Sequence, residues 1–110
     1  MIELQSLIAN RIKATPAQIA AFCQRWKIIE FALFGSVLRD DFRPDSDIDA
    51  LVTFSPDRRF TWDDWTTMQE EIEALFNRKV DLVSKEYLKN PYRRYEILNT
   101  CQVIYAIEQP

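Results

Sequence analysis

Gly35-Ser36, ten intervening residues and then Asp47-Ile48-Asp49 form the stretch of this chain best suited to chemistry. Residues two apart on a strand share a face, so both carboxylates would leave a sheet together, about 7 Å apart at their Cα atoms. Asp81 stands between Val80 and Leu82 in another β-rich run, although carboxylates are poor strand formers. Three carboxylates brought to one region repel one another unless a cation lies among them. A hard ion such as Mg²⁺ takes oxygen ligands, commonly one or two carboxylates together with nucleotide phosphates. Two such ions can hold the attacking and the leaving oxygen of an in-line displacement. The chain has no histidine, which excludes an imidazole metal site and a histidine base.

Gly35 is the single glycine of the chain and ends the apolar run Ile28 to Phe34. Without a Cβ it lets a backbone approach a ligand closely or take a positive φ. A helix starting at Ser36 would point free N–H groups and its positive dipole end at an anion. The Ser36 hydroxyl can add a hydrogen bond to a phosphate oxygen. Each element also has a plainer reading. Gly35-Ser36 can be a simple strand-to-helix turn with Ser36 as its cap. Asp47 and Asp49 can sit on a solvated edge, and Asp81 can pair with Arg39 or Lys79. It is the combination of phosphate loop and three aspartates that favours nucleotide and metal.

Other residues carry weaker signals. Arg39 and Arg43 can reach a phosphate or stabilise charge on a transferring group, or pair with Asp40 and Asp41. Tyr92-Arg93-Arg94-Tyr95 resembles the basic-aromatic patch of a single-strand binder, but Glu96 alongside suggests a solvated or partner-facing helix surface. Trp62 and Trp65, one helical turn apart, belong either to the core or to a partner interface.

The elements needed to hold these groups can be read from the pattern. Leu4, Leu7, Ile8 and Ile12 predict a helix from about Ile2 to Lys13. Thr15-Pro16-Ala17-Gln18 is a capping box opening a second helix, with Ile19, Phe22, Cys23 and Trp26 on its apolar face. Ile28 to Phe34 reads as a central strand covered on both faces. Ser36 to Arg39 predicts a short helix. The strand from Asp47 to Phe54 alternates, with Ile48, Ala50, Val52 and Phe54 opposite Asp47, Asp49, Leu51 and Thr53. After a loop from Ser55 to Phe60, Thr61 and Asp64 cap a long helix to about Asn77, with Trp65, Met68, Ile72, Leu75 and Phe76 as its buried stripe. Lys79 to Ser84 is a third strand, Asn90-Pro91 opens a helix to about Thr100, and Gln102 to Ile107 is a last strand. This order implies an α/β sandwich around a small sheet.

A chain of 110 residues, 47% hydrophobic, suits one domain spanning residues 1–110 with a small but real core. At that length a dedicated substrate domain is not expected. A net charge of −3 and a pI near 4.9 argue against direct nucleic-acid binding, which needs a basic face to exchange for counterions. The basic pairs Arg58-Arg59 and Arg93-Arg94 both have acidic neighbours. Cys23 and Cys101 lack metal-ligand spacing and suit a reducing, cytoplasmic setting. No apolar run approaches membrane-span length, and the start lacks a signal-peptide pattern.

The stretch Gly35-Ser36 to Asp47-Ile48-Asp49 resembles the signature of polymerase-β-type nucleotidyltransferases. With Val80-Asp81-Leu82-Val83 and the segment Ile97 to Tyr105, the chain is similar to the minimal nucleotidyltransferase (MNT) family, antitoxins found beside HEPN ribonuclease toxins. The resemblance implies a small mixed β-sheet flanked by helices, with Asp47, Asp49 and Asp81 as the catalytic and Mg²⁺-binding set. Gly35 and Ser36, with Arg39, would hold the triphosphate of ATP. It further implies transfer of AMP from ATP to a hydroxyl, a tyrosine's, on a HEPN toxin held in a hetero-oligomer. A catalytically weak antitoxin that acts by binding alone, or a small-molecule nucleotidyltransferase, are the alternatives. Where the family often has glycine after the loop arginine, this chain has Asp40-Asp41, and aspartate tolerates left-handed backbone better than most residues.

Overall fold

The computed structural model of the chain describes residues 10–57, 59 and 61–107. Most of the helix expected from Ile2 to Lys13 lies outside the described residues; Asn10 and Arg11 are helical. Helix α1 (Pro16–Trp26) starts where its capping box places it. Thr15 Oγ1 accepts from the Gln18 N–H at 3.1 Å, and Gln18 Oε1 accepts from the Thr15 N–H at 2.9 Å. Helix α2 (Trp62–Phe76) has the same reciprocal cap, built from Thr61 and Asp64. Both helices stop at a left-handed residue, Lys27 (φ 57°) and Asn77 (φ 53°), whose N–H groups bond back to helix carbonyls. Asparagine and lysine thus do the stopping that glycine more often does. Helix α3 (Pro91–Thr100) is capped by Asn90, whose side-chain oxygen accepts from the N–H groups of Tyr92 and Arg93.

Strands β1 (Ile28–Phe34), β2 (Ile48–Phe54), β3 (Val80–Ser84) and β4 (Gln102–Ala106) form one mixed sheet in the order β3-β2-β1-β4. β1 runs antiparallel to both neighbours and β2 runs parallel to β3. A parallel pair needs a crossover, and α2 supplies it. Helices α1 and α2 cover one face, closing the main core of Ile19, Phe22, Phe31, Ile48, Met68 and Phe76 among others. Phe31 meets Phe22 and Phe76 edge-to-face, with centroids 6.3 and 6.2 Å away. Glu71 joins the two helices by accepting from Arg25 at 2.7 Å and from the Trp26 indole at 2.6 Å.

Among the described residues, the opposite face is more thinly covered. Ala32, Phe34 and Leu51 meet Leu88 and Ile97, with Val83 and Cys101 at the margin. β1 is therefore covered on both faces, as its apolar run predicted. The alternation in β2 also holds, with Ile48, Ala50 and Val52 in the first core and Leu51 in the second. At the outer edge of β3, Glu73 accepts from the Val80 N–H at 3.0 Å and the Gln69 amide donates to the Val80 carbonyl. These two side chains occupy backbone groups that an edge strand would otherwise leave open.

Two expectations are corrected. The helix predicted over Ser36 to Arg39 is a four-residue 3-10 turn, Gly35–Leu38, too short to build a macrodipole. Asp40 does not take left-handed backbone, since Lys27 and Asn77 are the only such non-glycine residues described. A further 3-10 turn, Lys85–Tyr87, went unread in the sequence.

Candidate active site

The register of the sheet assembles the site. Phe34, the residue before Gly35, pairs with Asp49 across β1 and β2. Asp49 in turn pairs with Asp81 across β2 and β3. Partners in register on neighbouring strands share a face about 5 Å apart, so Asp49 and Asp81 stand side by side on the thinly covered face. Asp47 precedes β2 and is exposed.

Gly35 has φ +79°, and a Cβ built there would collide with Asp49 Oδ2 and stand 3.2 Å from its Cγ. Both constraints demand glycine: the backbone is left-handed and the carboxylate fills the space a side chain would need. The backbone of the Gly35 turn is thereby packed directly against Asp49. The Ser36 hydroxyl has no partner among the described residues, and the turn has no side-chain cap. Ser36 is therefore not the cap of this turn, which leaves its hydroxyl free for a ligand.

Electrostatics bind the set together. Burial, then the charges of Asp81 and Asp47, push the Asp49 carboxyl above the usual carboxylate range, while Arg39 and Arg93 pull it back. Asp49 thus feels both other carboxylates, and two arginines stand within electrostatic reach of it. Asp81 makes no ion pair among the described residues, so neither Arg39 nor Lys79 explains it. Arg39 does bond Asp41, Nε to Oδ1 at 3.1 Å, and holds that carboxyl below its ordinary value. Its pairing with the loop is as the plainer reading had it.

The convergence expected of the three aspartates is looser than a cage. Among the described residues, no group of three or more His, Cys, Asp or Glu side chains is ready-made to hold a metal. Asp47 lies ahead of the strand ladder, so the sheet does not fix it as it fixes Asp49 and Asp81. The donor set still fits Mg²⁺, being all hard oxygen, and its mutual repulsion is what a bound cation relieves.

Asp47 and Asp81 are exposed, while Gly35, Ser36 and Asp49 are half-buried. A cleft of about 660 Å³ lies at the outer edge of β3, between Trp62, Trp65, Leu82, Ser84 and Tyr87. It contains none of the motif residues. Trp62 is 84% exposed and so is no core residue, while Trp65 packs on Phe54. Tyr92 and Tyr95 are exposed on α3. Sequence reasoning missed Arg11, Phe42 and Arg78, which gather at the loop between Ser36 and Asp47. A lone arginine far from the motif gives no local signal. No helix among the described residues is long and apolar enough to cross a membrane.

The chain belongs to the nucleotidyltransferase domain family, whose model matches residues 17–104. The protein adenylyltransferase MntA of Thermococcus cleftensis is 36% identical over 67 residues, which cover 61% of this chain and 66% of that relative. A solved structure described as a minimal nucleotidyltransferase is 32% identical, with a TM-score of 0.67, covering 92% of this chain and 95% of that one. The fold is also that of an MNT antitoxin solved in complex with a tri-AMPylated HEPN toxin of Shewanella oneidensis. That likeness has a TM-score of 0.59 at 16% identity and covers 84% of this chain and 70% of that one.

Proposed function

We propose that this chain is a Mg²⁺-dependent nucleotidyltransferase that moves AMP from ATP to a tyrosine hydroxyl on a HEPN ribonuclease toxin, and so serves as its antitoxin. The observation that carries the reading is the Asp49–Asp81 pair standing in register beside Gly35 and the free Ser36 hydroxyl. The names of its relatives support the protein acceptor. Exposed Asp47 and Asp81 also suit an acceptor that arrives on a partner, whose docking would exclude water. Residues 1–110 act as one domain, in a hetero-oligomer with the toxin, without direct contact to nucleic acid. Both cysteines are free thiols, which suits a cytoplasmic setting.

In this reading the Gly35 and Ser36 backbone and the Ser36 hydroxyl receive the triphosphate, with Arg39 beside it. Asp47, Asp49 and Asp81 would hold Mg²⁺, which supplies charge neutralisation at the phosphates when bound. The acceptor oxygen forms a bond to the α-phosphorus of ATP and the bond to pyrophosphate breaks. The family pattern that the chain resembles puts the third carboxylate nearest the attacking hydroxyl, so the acceptor proton passes to Asp81. Asp81→Asn should therefore lower transfer by orders of magnitude while leaving ATP affinity within a few-fold.

The test is transfer of label from α-phosphate-labelled ATP to a co-encoded HEPN protein, with the toxin's ribonuclease activity followed in parallel. Label on tyrosine and falling activity are expected. Equal inhibition by an Asp47→Asn/Asp49→Asn double variant would leave binding alone as the mechanism. Label on a free metabolite would make the chain a small-molecule enzyme.

A further inference from the structure

We propose that Arg11, Phe42 and Arg78 are positioning residues that hold the loop between Ser36 and Asp47 in its nucleotide-ready shape. This rests on the assignment of that loop to the nucleotide.

The loop has no glycine and must carry Asp40, Asp41, Asp45 and Asp47 past a triphosphate. Arg39 and Arg43 offset only part of that charge, and a charged segment left to itself spreads. Two guanidinium nitrogens prevent this by taking four backbone carbonyls. Arg11 Nη1 donates to the carbonyls of Val37 and Arg39, at 2.8 and 2.6 Å. Arg78 Nη1 donates to those of Arg43 and Ser46, both at 2.8 Å. One arginine thus pins the end next to Ser36, and the other pins the end next to Asp47.

Phe42 links the two arginines. The Arg11 guanidinium carbon lies 5.1 Å from the centroid of its ring and that of Arg78 lies 4.4 Å from it. Both distances are within cation–π range. Neither arginine has a carboxylate partner among the described residues, despite the acidic loop around them. Both cations serve the backbone instead. The three side chains come from a helical turn, the loop itself and the residue after the left-handed stop of α2, so they tie separate elements to the site. A loop already shaped for its ligand need not be ordered when the ligand binds.

The test compares Phe42→Leu, Phe42→Tyr, Arg78→Met and Arg78→Lys with the native chain. The readouts are Mg²⁺-ATP binding by calorimetry, KM for ATP and kcat for AMP transfer, and the Tm of each free protein. Phe42→Leu keeps an apolar side chain without the ring, and should bind Mg²⁺-ATP about tenfold more weakly, the combined worth of two ordinary cation–π contacts. KM for ATP should rise in step while kcat at saturation stays within about twofold, the signature of lost uniform binding. Phe42→Tyr and Arg78→Lys should recover most of the affinity, and Arg78→Met should not.

A Tm loss in Phe42→Leu without any loss of Mg²⁺-ATP affinity makes the trio structural only and overturns the proposal. A defect confined to kcat overturns it too. If Arg78→Met does not fold, the comparison of Phe42→Leu with Phe42→Tyr decides. Absence of Mg²⁺-ATP binding by the native chain defeats the nucleotide reading itself, and this assignment with it. Native binding matched by Phe42→Leu defeats the clamp alone.

Discussion

Replacing Gly35 by alanine tests how the loop and the carboxylate share space. The added methyl meets two obstacles. Gly35 has φ +79°, and an L-residue in left-handed backbone costs about 1–2 kcal/mol. The methyl also lands on the Asp49 carboxylate, whose Cγ would be 3.2 Å away and whose Cβ would be 3.4 Å away. Moving Asp49 aside would disturb a half-buried carboxylate that already feels the charges of Asp81 and Asp47. Overpacking of this kind costs about 1–3 kcal/mol. The sum, about 2–5 kcal/mol, should lower Tm by on the order of 10 °C in a chain of this size. Displacing Asp49 should also cut AMP transfer by about 100-fold or more. A double-mutant cycle with Asp49→Ala separates the two obstacles. With the carboxylate gone the new methyl faces Cβ at an ordinary contact distance, so Gly35→Ala should then cost its backbone share alone. The assay is thermal and denaturant unfolding of all four proteins without metal. A coupling below about 0.5 kcal/mol, the usual noise of additivity, would refute the steric argument.

Three further outcomes are expected. Folding raises the pKa of Asp49, so the metal-free native state binds more proton than the unfolded chain between the ordinary carboxylate value and the raised one, and stability falls as pH rises through that window. Asp49→Asn should flatten this part of a Tm-against-pH curve, be no less stable than the native chain at neutral pH, and lose transfer; an unchanged slope contradicts it. Asn90→Ala removes the acceptor for the Tyr92 and Arg93 N–H groups and should cost about 1 kcal/mol, read by denaturant midpoint. Burial pushes the Cys23 thiol up to about 12, whereas Cys101 is half-buried; an aromatic disulfide reagent at mildly alkaline pH should label Cys101 first and Cys23 only on unfolding.

Much of this molecule could be read before its structure was described, and the reasons are local. Capping boxes at Thr15 and Thr61, and Asn90-Pro91, use short-range hydrogen bonds that three or four residues encode, so all three helix starts appear where expected. The period-two pattern of β2 assigned Asp49 and Leu51 to one face because strand geometry leaves no other choice. What could not be read depends on distant partners. Nothing around Asp81 announces that it lies opposite Asp49, since the register between β2 and β3 joins residues more than thirty positions apart. The bonds from Arg11 and Arg78 to the loop join residues far apart in sequence. The backbone freedom of Gly35 is legible in the sequence, but the Asp49 carboxylate that fills the space of a side chain there belongs to a strand brought up by the fold. The 3-10 turn replaced the expected helix because four residues between Phe34 and Arg39 cannot complete an α-helical ladder.

The place of β4 governs the order in which this fold can be made. β1, the most apolar strand, is flanked on one side by a strand from the far end of the described chain, with Ala32 opposite Val103 and Leu33 opposite Gln102. About seventy residues must be synthesised after β1 before that edge can close. At ordinary translation rates the nascent chain spends about 4–14 s with Phe31 and Leu33 in a strand that lacks one neighbour. Non-local pairing of this kind slows folding, and an unpaired apolar edge is open to other chains meanwhile. Ribosome stalling or cleavage shortly before Gln102 would therefore yield an aggregation-prone fragment that retains Asp47, Asp49 and Asp81 yet cannot hold them on a finished sheet.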